Sequence, residues 1–166
     1  MQSIVRRIFG DRKLPEGLSE DAYDKFMHDN FPKWVTEFES NGFLEQTKLP
    51  PIADEDALMD VLMKYPNDLV VVKYWKHGCI PCLSFAEMYK SAQMKCLAEN
   101  KRIRWFSVDT KASDGARELV DFQLVDGTPT IQTFAGCKQI GNEIRATQLD
   151  DLMGILEQRL ASVPNV

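Results

Sequence analysis

The sequence predicts an α/β domain built around a mixed β-sheet and preceded by a helical extension. Three observations carry that reading. The run Leu69-Val70-Val71-Val72-Lys73-Tyr74-Trp75 is apolar throughout except for Lys73, the pattern of a buried parallel strand. A long helical stretch follows, from Cys79 or Pro81 to about Ala98, with Phe85, Tyr89, Ala92 and Cys96 on one face. Strand-like and helix-like segments then alternate to a closing hairpin and a last amphipathic helix.

The elements follow in order. Ile4, Val5, Ile8 and Phe9 share one helical face at the start, with Arg6 and Arg7 off it. Residues 14–49 form an extension. Ser19 before Glu20 and Asp21 is a helix cap, and Tyr23, Phe26 and Met27 fall at helical spacing. Asp29-Asn30-Phe31-Pro32 is expected to break that helix, and Pro32 to open a second one. The second helix would carry Trp34, Val35 and Phe38 on one face and end near Asn41-Gly42. Residues 1–49 are therefore read as a basic start and an acidic helical hairpin with an aromatic stripe. The stripe either packs on the sheet of the same chain or forms a partner site.

Leu49-Pro50-Pro51 marks the boundary with a second domain, residues 50–166. There the pattern predicts a helix from Asp54 to Met63, the strand 69–75, the helix to Ala98 and a strand Ile103–Val108. A helix capped by Ser113 then runs to about Phe122. Thr130–Phe134 and Gln139–Ile144 form a hairpin around Ala135-Gly136-Cys137-Lys138. Thr147 caps a last helix in which Leu149, Leu152, Met153, Leu156 and Leu160 keep a 3.6-residue period.

Composition narrows the function classes. The apolar fraction of 44% supplies a real core, and no apolar run approaches the ~20 residues of a membrane span. The net charge of −5 argues against nucleic-acid binding. The charge is uneven: residues 1–13 carry four bases and one acid, residues 14–64 twelve acids and four bases, and the remainder balances. Four cysteines without a secretory signal suggest an intracellular, reducing compartment. The acid-free, arginine-bearing first ten residues have the composition of a short mitochondrial presequence, or equally of a basic helix that packs on its own protein.

The chemistry centres on Cys79-Ile80-Pro81-Cys82. Two thiols three positions apart either close as a disulfide or open as a dithiol. A strand running into a helix puts the first at the helix N-terminus, where unpaired N–H groups and the helix dipole favour a thiolate. Zinc is the competing reading. Cys96 stands fourteen residues along the same predicted helix from Cys82, however, ~21 Å away. That distance rules out a shared metal and a Cys82–Cys96 disulfide, so no metal ligand set is assigned. Cys96 is read as a small buried hydrophobe, and Cys137, in a hairpin turn, as exposed.

The stretch Val72-Lys73-Tyr74-Trp75-Lys76-His77-Gly78-Cys79-Ile80-Pro81-Cys82 resembles the active-site segment of the thioredoxin family. Gly127-Thr128-Pro129-Thr130 matches the family's cis-proline loop, which faces the thiols. The resemblance covers roughly residues 50–162. It implies a thioredoxin fold, a central mixed sheet of four to five strands flanked by helices. It implies Cys79 as the attacking thiol, Cys82 as the resolving thiol, and a cis bond before Pro129. By the same resemblance Thr128 and Pro129 would receive an extended substrate segment, Trp75 would pack beneath the active-site loop, and Pro81 would stiffen the first helical turn.

Three departures accompany the match. Lys73 stands where the family usually has a buried acid, Trp105 where it often has a lysine paired with that acid, and Gly78 where a tryptophan commonly precedes the first cysteine. Lys73 has three readings. Charged, it would stabilise a thiolate; neutral, it would accept a proton; otherwise its stem packs while its ammonium reaches water. His77, two residues before Cys79, either favours the thiolate as a cation or is simply exposed.

Two functions remain. The first is a thiol–disulfide oxidoreductase in cell redox homeostasis, acting on protein disulfides. It would need no cofactor beyond its own redox-active disulfide, and an electron-donating reductase as partner. The alternative is a thioredoxin-like scaffold or assembly subunit of a larger, mitochondrial complex, docked through its N-terminal extension, with little or no turnover.

Overall fold

A computed structural model describes residues 3–145 and 148–164. The chain divides into two units, Met1–Lys48 and Leu49–Val166.

In the first unit, helix α1 spans Ile4–Phe9. Ser3 caps it by accepting the Arg6 N–H, and Gly10 ends it at a left-handed φ of 60°. Ile4 and Ile8 are buried whereas Val5 is exposed, so the apolar face is narrower than the sequence pattern indicated. Helix α2 spans Glu20–Phe38 and is capped by Ser19, whose hydroxyl accepts the Ala22 N–H. The acids Glu20 and Asp21 lie in its first turn, where they complement the dipole.

The expected helical hairpin broken at Pro32 is not present. Pro32 sits inside α2, and a single helix runs through it. A proline removes the bond to the carbonyl four residues back, here that of His28. His28 is exposed, so water can take up the freed carbonyl. Rings then tie the two halves together: Trp34, after the proline, packs edge-on against Phe26 and Phe31, both before it, and against Phe9 of α1. The break falls instead where Asn41-Gly42 was expected to end the helix. There a π turn, Glu39–Phe43, carries non-helical Asn41 and Gly42 (φ 91°) before the single turn α3, Leu44–Gln46.

The second unit has three layers. Strands β1 (Leu69–Trp75), β2 (Ile103–Asp109), β3 (Thr130–Ala135) and β4 (Lys138–Gln139) form a sheet in the order β2-β1-β3-β4. β1 runs parallel to β2 and antiparallel to β3, with Lys73 level with Ser107 on one side and Ile131 on the other. Pro51 adds a parallel bridge to Ser107 at the outer edge of β2, a fifth strand reduced to one pair. Because side chains alternate along a strand, Leu69 and Val71 face one core and Val70, Val72 and Tyr74 the other. Helices α5 (Ile80–Ala98) and α7 (Leu149–Ala161) cover the first face through Tyr89, Ala92, Cys96, Leu152 and Leu156. Helices α4 (Glu55–Lys64) and α6 (Asp114–Phe122) cover the second through Leu58, Leu62, Ala116 and Leu119.

The hairpin departs from expectation. β4 is two residues long because the pairing shifts: Phe134 faces Gln139, whereas Ile131 bridges Ile144. Two extra residues are bulged out around Gly141 (φ 69°). Arg159 of α7 holds this bulge, donating to Thr133 Oγ1 at 2.8 Å and to the Asn142 carbonyl at 2.7 Å. A Cβ at Gly141 would land on that guanidinium. Gln148 precedes α7, and the expected cap Thr147 lies outside the described residues. No helix among the described residues is long and apolar enough to cross a membrane.

Candidate functional site

The site lies where β1 runs into α5. After Trp75 the chain turns through Lys76-His77-Gly78, and Gly78 takes a left-handed φ of 74°. That conformation accounts for a glycine at this position: a residue with a Cβ would be strained there. Cys79 is the N-cap of α5, with extended backbone, and its sulfur accepts the Cys82 N–H at 3.2 Å. Pro81 lies in the first turn, where its missing N–H costs nothing. Cys82 follows one turn in, and the two sulfurs are joined as a disulfide. In this oxidised state the two residues are almost equally covered, 7% exposed at Cys79 and 5% at Cys82.

Thr128 completes the sulfur environment. Its hydroxyl lies 3.5 Å from Cys79 Sγ and its carbonyl oxygen 3.7 Å from the same atom. The Thr128–Pro129 peptide bond is cis. The loop is braced from behind. Thr130 Oγ1 donates to the Gly127 carbonyl at 2.8 Å, and Arg145 donates to that same hydroxyl oxygen at 2.5 Å. Neither Thr130 nor Arg145 was singled out from the sequence. Thr130 was visible inside the motif; Arg145 reaches it only through the hairpin bulge.

At the end of β1, Trp75 packs edge-on against His77, with ring centroids 4.8 Å apart. His77 Nε2 lies 3.3 Å from Asp109 Oδ2, at the end of β2. Asp109 was missed by the sequence reading. The parallel register that sets Trp75 opposite Asp109 is the signal that would have found it.

Lys73 is buried, only 6% exposed, so its stem is packed and its ammonium keeps at most a narrow opening to water. Its Nζ sits over the Tyr89 ring, 5.6 Å from the centroid. Burial, with a further push from the Lys90 ammonium, brings its pKa down to about 8. Burial likewise pushes the Tyr89 hydroxyl up to about 12, and among the described residues that hydroxyl has no hydrogen-bond partner. Tyr89 lies seven residues along α5 from Cys82, two turns or about 10 Å. The amine therefore sits against the aromatic side of α5. Trp105 is buried beside Tyr89, centroids 6.3 Å apart. Lys73 and Trp105 thus stand where an acid and its partner lysine were expected by resemblance, and the Tyr89 ring lies against both.

The remaining cysteines are free, Cys96 buried and Cys137 exposed at a φ of 67° in the hairpin turn. Burial pushes the Cys96 thiol up, opposed in part by the neighbouring Trp105 N–H. Among the described residues no group of three or more acidic, histidine or cysteine side chains is placed to hold a metal ion.

A helix-capping CxxC disulfide faced by a cis-proline loop, on a sheet of this order, defines a thioredoxin-type dithiol–disulfide module. The chain has the thioredoxin fold. Solved structures with this fold match it, among them the thioredoxin of Fasciola hepatica, with a TM-score of 0.58, 16% identity, 66% of this chain and 98% of the other. Thioredoxin f2 of Chlamydomonas reinhardtii matches with a TM-score of 0.56, 19% identity, 71% of this chain and 100% of the other. A thioredoxin f2 in complex with ferredoxin:thioredoxin reductase matches with a TM-score of 0.55, 18% identity, 68% of this chain and 96% of the other. No protein-family model and no curated protein matches the sequence.

Proposed function

We propose that the protein is a thiol–disulfide oxidoreductase acting on protein disulfides. One observation carries this reading: Cys79 and Cys82 form a disulfide at the N-terminus of α5, with Thr128 against the Cys79 sulfur. In the reduced protein the Cys79 thiolate attacks one sulfur of a substrate disulfide. The substrate S–S bond breaks, a mixed disulfide forms and one substrate thiolate leaves. The Cys82 thiolate then attacks the Cys79 sulfur, releases the second substrate thiolate and restores the Cys79–Cys82 bond. Two electrons pass from the dithiol to the substrate, and the two protons lost by the cysteines end on the substrate thiols. A dithiol or reductase donor reverses the change on the protein. A thioredoxin f2 has been solved with such a reductase, which supports this class of partner.

The roles follow from position. Cys79 is assigned the attack because its sulfur receives both the helix N-terminal N–H and the Thr128 hydroxyl, the interactions that stabilise a thiolate. Cys82 resolves. Among the described residues none accepts the Thr128 N–H, which leaves it for an extended substrate segment. Trp75 and His77 shape the wall of the loop, and Lys73 tunes the pair through its buried charge.

A second reading, a thioredoxin-like scaffold with little turnover, draws on the near-complete cover of both cysteines and on Lys73 over Tyr89 in place of an acid. Trapping separates the two. Reduced Cys82→Ser protein, exposed to a cell extract, should collect defined partners as mixed disulfides on Cys79. Partners retained without a covalent bond, and equally by Cys79→Ser, would favour the scaffold.

A further inference from the structure

Phe122 and Leu124 are the most exposed large apolar residues among those described, 71% and 83%. They lie at the C-terminal end of α6 and the turn after it. Leu124 takes a left-handed φ of 56°. Its N–H reaches the Asp121 carbonyl at 3.2 Å, and the Val125 N–H reaches the Val120 carbonyl at 3.0 Å. This is the helix-ending turn in which glycine is the favoured residue, because a Cβ is strained there. A leucine at this position is unfavourable twice over, once for the backbone and once for the apolar surface it leaves in water. An outlier of that kind, held by its surroundings, points to a use.

The surroundings do hold it. Gln123, between the two exposed residues, turns inward: its carbonyl accepts Gln132 Nε2 at 3.1 Å, and its side chain reaches Glu55 at 3.4 Å. Val125 packs on the core covered by α4 and α6. Phe122 and Leu124 therefore project from a braced turn. The chain runs from Leu124 to Thr128 in four residues, at most about 14 Å, so the turn leads directly to the loop against Cys79. The exposed acids Glu118, Asp121 and Asp126 flank it.

We propose that Phe122 and Leu124 form a docking step for the protein substrate, taking up an apolar residue a few positions from the substrate disulfide, with basic residues beside it. This rests on the oxidoreductase reading and names a substrate class for it. A strand laid along Thr128 continues toward Leu124, which places its apolar side chain on the step. The acidic rim selects basic neighbours. The same rim disfavours a second copy of this chain as occupant, because a two-fold contact would set like charges against one another.

Two synthetic peptides carrying the same mixed disulfide test this, one with Leu-Arg a few positions after the cysteine and one with Ser-Glu at the same place. Single-turnover rates are measured with the reduced full-length protein, alongside the small disulfide 5,5′-dithiobis(2-nitrobenzoate). The wild type should favour the Leu-Arg peptide by about tenfold, the worth of one well-covered leucine. Leu124→Gly and Phe122→Ser should remove most of that preference and leave the rate with the small disulfide unchanged. Leu124→Gly should at the same time raise the thermal midpoint, which separates a docking role from a structural one. An undiminished preference in both variants, with the wild type active on the small disulfide, overturns the docking step alone. A wild type that reacts with none of the three disulfides overturns the oxidoreductase reading and the docking step with it.

Discussion

The Thr128 hydroxyl stands 3.5 Å from the Cys79 sulfur, on a loop that Thr130 and Arg145 hold in place. A hydroxyl so placed stabilises a thiolate more than a thiol, because a hydrogen bond to a charged acceptor is worth about 1.5–3 kcal/mol. Thr128→Val keeps the shape and removes the donor. The pH profile of iodoacetamide alkylation at Cys79 in the reduced protein should move up by about 1 pH unit. An unmoved profile would show that the helix N-terminus alone sets the thiolate.

Lys73 makes a prediction about stability. Its pKa falls to about 8 from 10.5 because burial disfavours the ammonium, with Lys90 adding to the effect. The folded protein thus binds this proton less tightly than the unfolded chain. Between about pH 8 and 10.5 the unfolded chain holds more protons here, so stability gained from this group rises with pH. Below pH 8 the penalty is present in full, on the order of 3 kcal/mol for a lowering of this size. Lys73→Met should therefore raise the urea stability at pH 7 by up to about 3 kcal/mol, with the gap to wild type narrowing toward pH 10. A variant equally stable or less stable than wild type at both pH values would contradict a buried, costly ammonium.

The same charge should be felt at the disulfide. A cation ~10 Å from a thiolate stabilises it by about 1.5 kcal/mol at an effective dielectric of ~20. For a two-electron couple that is about 30 mV. The reduced form is favoured, so Lys73→Met should lower the reduction potential against glutathione by about 30 mV at pH 7. The difference should shrink as the pH passes about 8, where Lys73 sheds its proton. Equal potentials at pH 7 would remove Lys73 from the tuning of the pair.

Legibility in the sequence followed local physics. Leu69–Trp75 and Asp114–Phe122 declared themselves, the first by an unbroken apolar run and the second by the Ser113 cap. The Cys79 N-cap was readable because a strand-to-helix junction leaves few places for a CxxC pair. Pro32 misled, because its local cost in a helix was offset by rings on either side of it, a contact between residues eight apart that no short window reports. β4 misled because an alternating pattern cannot show that Arg159, far along in α7, stabilises a bulge at Gly141. The cover over Cys79 and the aromatic floor under Lys73 were hidden for the same reason: both are made by segments distant in sequence. Leu124 carried no signal at all, since neither its backbone conformation nor its exposure follows from residue type.

The central claim is that Cys79 and Cys82 turn over as a redox pair, and insulin reduction with dithiothreitol as donor tests it most directly. Wild-type protein should accelerate insulin precipitation above the donor alone, and Cys79→Ser should return the rate to that background. A wild-type rate no faster than Cys79→Ser, from protein confirmed to cycle between reduced and oxidised forms, would contradict the account.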